Sequence, residues 1–64
     1  MENITEKELY GIEDSLTMEQ NLIAKYQMYA SICADPQVKS KCEQMAAKHQ
    51  NHFDKLLSLS LIHI

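Results

Sequence analysis

Glycine and proline are nearly missing from these 64 residues, with one of each, so turn chemistry is scarce and the chain has few places to bend. Arginine is absent altogether, and six lysines against nine acids leave a net charge of −3. A nucleic-acid binder needs a basic face or stripe to neutralise phosphates, so that class is set aside. Cysteine occurs only at Cys33 and Cys42, too little for a disulfide-stapled secreted scaffold. No basic segment followed by an apolar stretch opens the chain, and the default location is intracellular. Long hydrophobic runs are missing too. The strongest, Leu56 to Ile64, is interrupted by Ser58, Ser60 and His63 and falls well short of the ~20 residues a membrane-spanning helix requires. No membrane partner is expected. There is also no Gly-rich phosphate loop, nucleophile elbow or nucleophile-plus-base arrangement, so no enzyme is expected.

What the chain does contain is helix chemistry. Thr5 followed three residues later by Glu8 fits a capping box, with Ile4 and Leu9 placed to close a hydrophobic staple around it. Glu2, Glu6 and Glu8 suit the positive end of the helix dipole that follows. The strong breaker is Ala34-Asp35-Pro36. Asp35 can cap a second helix, Pro36 at its first position gives up an N–H that would be unpaired anyway, and the residue before proline is pushed out of helical geometry. The chain therefore reads as a single helical hairpin over residues 1–64: a helix from about 6 to 33, a bend at 34–36 and a helix from about 36 to 59.

The fold class follows from spacing. Leu9, Ile12, Leu16, Glu19, Ile23, Tyr26, Ala30 and Cys33 recur in a 3-4 rhythm, and Val38, Cys42, Met45, His49, His52, Leu56 and Leu59 repeat it. Two such stripes joined by a tight bend make an all-α antiparallel hairpin, in which facing positions have numbers summing to about 71 or 72. In that register Cys33 and Cys42 face other residues, so two reduced thiols are expected. Leu22 and Tyr29 on the first helix and Ala46 and Phe53 on the second widen the stripes beyond what two helices can cover. Chains below roughly 70 to 80 residues usually need outside help to be stable. The expected form is a homodimer in which two hairpins make a four-helix bundle, with Leu22, Tyr29, Ala46 and Phe53 at the dimer interface.

Three seam positions hold polar groups: Glu19 on the first helix, His49 and His52 on the second. A spacing of three puts both imidazoles on one helix face, and the register sets Glu19 opposite them. One reading is a satisfied polar core in which Glu19 accepts hydrogen bonds from His52 or Tyr26 and the network fixes register and partner. The other is a two-histidine, one-carboxylate metal site of Glu19, His49 and His52, with Tyr26 beside it, taking an iron, zinc or manganese ion. The first reading needs no cofactor.

Between Asp14 and Leu57 the chain resembles the spore coat F family. The resemblance is carried by Asp14-Ser15-Leu16, Gln20, Tyr26, Ala34-Asp35-Pro36 with Val38 and Lys39 behind it, His49-Gln50-Asn51 and Phe53-Asp54. It implies a ferritin-like helical repeat, association with a spore coat, other coat proteins as partners and no assigned chemical activity. Glu19 with Tyr26 seven residues later is also similar, more distantly, to the first-helix pattern of ferritin-like di-iron proteins, whose next helix carries Glu-x-x-His. Here that second motif is His49-Gln50-Asn51-His52, which lacks the bridging carboxylate of a di-iron centre and leaves simple ion binding. The function expected is thus a self-associating structural module resembling a spore coat protein, with a ferritin-like metal-binding protein as the alternative.

Overall fold

The computed structural model describes residues 5–62, which form two helices of equal length, α1 (Glu6–Ile32) and α2 (Pro36–Ile62), each of 27 residues. They pack antiparallel along their length as an all-α hairpin. Ile4 and Glu2, expected to support the first turn, lie outside the described residues.

Both helix starts are set by local hydrogen bonds. The Thr5 hydroxyl accepts from the Glu8 N–H at 3.1 Å, and the Thr5 N–H donates back to Glu8 Oε1 at 3.3 Å, completing a capping box. Asp35 caps α2 by accepting from the Gln37 N–H at 2.8 Å and the Val38 N–H at 3.3 Å through Oδ1. Between them Cys33 is extended, and its N–H closes α1 on the Tyr29 carbonyl at 3.0 Å. The turn needs no positive φ and hence no glycine. The one glycine, Gly11, sits inside α1, where a methyl group would meet nothing within 4 Å. α2 runs three residues beyond the expected end at 59, because nothing between Leu59 and Ile62 breaks a helix.

The inward faces differ from the expected stripes in one respect. On α1 the buried residues are Ile23 and Ala30, both in the stripe. On α2 the most buried positions are Ala46 and Ser60, one residue beyond Met45 and Leu59. Leu59 is 46% exposed while Ser60 is 6% exposed, and Val38 at the other end is exposed as well. The reason is how α2 is rotated about its own axis, about one residue's worth from the regular stripe. Met45, His52 and Leu59 lie on the edge of α2 turned toward solvent, and Ala46, Phe53 and Ser60 on the edge turned toward α1. The seam of α2 thus runs Cys42, Ala46, His49, Phe53, Leu56, Ser60. Ala46, expected on the outer flank, is already covered by α1.

This rotation gives the hairpin two unlike sides. One carries the small residues Ala30 and Ala46 at the floor of an open cleft rimmed by Gln27, Ser31, Lys39, Glu43 and Gln50. The other carries a shallow, almost wholly apolar groove lined by Tyr26, Gln37, Val38, Lys41, Cys42 and Met45. Both cysteines are free and half-buried, as the register requires.

Candidate functional site

The expected polar positions meet at the middle of the hairpin. Glu19 projects from the fourth turn of α1, and His49 and His52 occupy successive turns of α2, so one carboxylate faces two imidazoles. His49 Nδ1 lies 2.6 Å from Glu19 Oε2. An ionised carboxylate only accepts, so the His49 tautomer that makes this bond with it carries its proton on Nδ1. His52 Nδ1 lies 3.7 Å from the other oxygen, Oε1, which is too long for a hydrogen bond. One ligand atom from each of the three residues lies within 4.8 Å of the other two.

Burial within the cluster is graded. Glu19 and His49 side chains are each 16% exposed, whereas His52 is 44% exposed and forms the mouth. The two imidazoles meet edge-on, with ring centres 5.5 Å apart and planes at 86°. Tyr26 backs the other face of His49, its ring stacked at 5.8 Å with the planes within 7° of parallel. This offset stack and the Glu19 bond together fix the His49 ring in one orientation.

The hydrogen bond to Glu19 therefore comes from His49, where one of the expected arrangements had it from His52 or Tyr26. The register explains this. A sum near 72 sets His49 opposite Ile23, midway between Glu19 and Tyr26, so it reaches one with its Nδ1 and the other with its ring. That signal is present in the spacing, but choosing His49 over His52 requires the rotation of α2 described above. Among the described residues, no buried side-chain nitrogen or oxygen is left without a partner.

The positions expected at a dimer interface divide between the two sides of the hairpin. Leu22 and Tyr29 flank α1 on the groove side, where the Lys25 ammonium sits 6.0 Å from the centre of the exposed Tyr29 ring. Phe53 is partly covered and Ala46 buried, on the opposite side. The groove adds Val38 and Met45 to the uncovered apolar surface, positions that the regular stripe had assigned to the hairpin's own core. No helix among the described residues is long and apolar enough to cross a membrane. No family model, no curated protein and no solved structure matches the chain.

Proposed function

We propose that the protein is a non-enzymatic structural module that works by self-association, two hairpins closing over their groove sides to make a four-helix bundle. The observation that carries this reading is an excess of surface. The chain exposes 5008 Å². A globular monomer of 7.4 kDa is expected to expose only about 4200 Å². The excess, on the order of 800 Å², is what one partner contributes to a standard protein–protein interface. No large side chain among the described residues is fully buried, while Val38, Tyr29 and Leu59 stand exposed on an apolar flank. A second copy is the occupant favoured because the surface to be covered lies along helices of matched length, and like hairpins pack by the same ridges and grooves.

The resemblance of residues 14–57 to spore coat F proteins supports a place for this assembly in a spore coat layer, alongside other coat proteins. Timing of the protein's appearance relative to spore formation tests that setting independently of the assembly itself.

Sedimentation velocity across a wide range of protein concentration tests self-association. Wild type should sediment at twice the mass of one chain or more. Val38→Glu with Met45→Glu, which alters exposed or half-exposed groove residues and leaves the Ile23 and Ala30 contacts in place, should shift the distribution to monomer. A folded monomer at every concentration in the wild-type protein sinks the reading.

A further inference from the structure

We propose that Glu19, His49 and His52 bind one divalent transition-metal ion of the zinc class within a single hairpin. The hydrogen-bonded arrangement satisfies only part of the cluster: Glu19 presents each oxygen to a different imidazole, yet only His49 is bonded, at 2.6 Å, and His52 stands off at 3.7 Å. An ion between the three donors would engage all of them.

The distances make this a small rearrangement. Zinc bonds to nitrogen and oxygen of about 2.0 to 2.2 Å in a tetrahedral site imply donors roughly 3.3 Å apart. The three donor atoms already lie within 4.8 Å of one another. The gap is closed from the His52 side, where the side chain is 44% exposed and has room to turn. The bonded Glu19–His49 pair opens from 2.6 Å to about 3.3 Å as the shared proton gives way to the ion, while the Tyr26 ring stacked at 5.8 Å keeps the His49 imidazole in the seam. Three protein donors leave a fourth position open at the mouth for water.

The donor set decides which ion. Two imidazoles with one carboxylate suit zinc and its neighbours among the later first-row metals, whereas magnesium, calcium and manganese prefer shells made of oxygen. Of the ions suggested by sequence, zinc fits these residues and manganese fits them least. Because all three ligands belong to one chain, the site does not depend on the dimer.

Cobalt(II), which reports tetrahedral nitrogen and oxygen coordination by its visible absorption, is the probe. Titration of the full chain should give a visible band saturating at one equivalent per chain, displaced by zinc and not by excess magnesium. His52→Gln, at an exposed position, should retain helicity by circular dichroism and lose the band. Glu19→Gln should weaken binding by more than the 10- to 100-fold that loss of a mere supporting partner costs. His63→Gln, altering the remaining histidine of the sequence, should change nothing. The Val38→Glu/Met45→Glu variant should bind cobalt as wild type does, so failure of the site and failure of self-association are read separately. Absence of a band in the folded wild-type chain, binding unchanged by His52→Gln, or displacement by magnesium each overturn the proposal.

Discussion

At the scale of single residues, this chain is governed by a few polar side chains whose partners lie within four positions. Glu8 is one: hydrogen bonds from the Thr5 hydroxyl, first, and the Thr5 backbone N–H hold its carboxyl below the usual carboxylate range. A carboxyl whose pKa is depressed by folding adds stability above its unfolded pKa and loses it as pH falls through the folded value. The helicity of α1 should therefore decline on acidification below about pH 5, the upper edge of ordinary glutamate titration. Glu8→Gln should flatten that part of the profile when followed by circular dichroism. Asp35 is the second case. Its Oδ1 serves two N–H groups of α2, so Asp35→Ala should cost about 1 kcal/mol in a denaturant melt, the usual loss for a capping residue. Asn at that position should restore most of it, since an amide oxygen accepts the same bonds.

At the scale of the helix pair, stability rests on how α2 is turned toward α1. Ile23 is buried against α2, whereas Leu59 is 46% exposed. Truncating a buried isoleucine leaves a cavity and costs about 2 to 5 kcal/mol, while trimming a half-exposed leucine removes far less. Thermal melts should show Ile23→Ala as severely destabilising and Leu59→Ala as mild. Equal losses would mean that the seam runs through Leu59 and not Ser60. The helix starts and the bend were legible in the sequence because capping and proline geometry are decided by neighbours in the chain. Convergence of Glu19, His49 and His52 was legible for a related reason: spacings of three and four and a fixed bend dictate which turns face each other. The pairing of Glu19 with His49, and the burial of Ser60 in place of Leu59, were not. They depend on how α2 is rotated about its axis against α1, which no single turn reveals.

At the scale of the whole molecule, the hairpin is thin. Its Cα atoms span 47 × 17 × 11 Å, with a radius of gyration of 14.7 Å. A compact chain of this length would have about 11 Å. Two helices side by side have no third layer to shield them, which is why even the seam residues of α1 are mostly half-exposed. If folding is coupled to pairing, stability must follow mass action, and the melting temperature should rise with protein concentration. The groove-side variant Val38→Glu/Met45→Glu should abolish that dependence.

The sequence by itself determined where each helix begins, where the chain turns back and that an acid would face two imidazoles, because each depends on bonds or spacings of a few residues. Tertiary packing alone decided which flank of α2 meets α1, which imidazole takes the carboxylate and which apolar residues remain outside. Those outcomes depend on the relative rotation of two rods about their axes. Rotation costs little locally and is fixed only when both surfaces interlock.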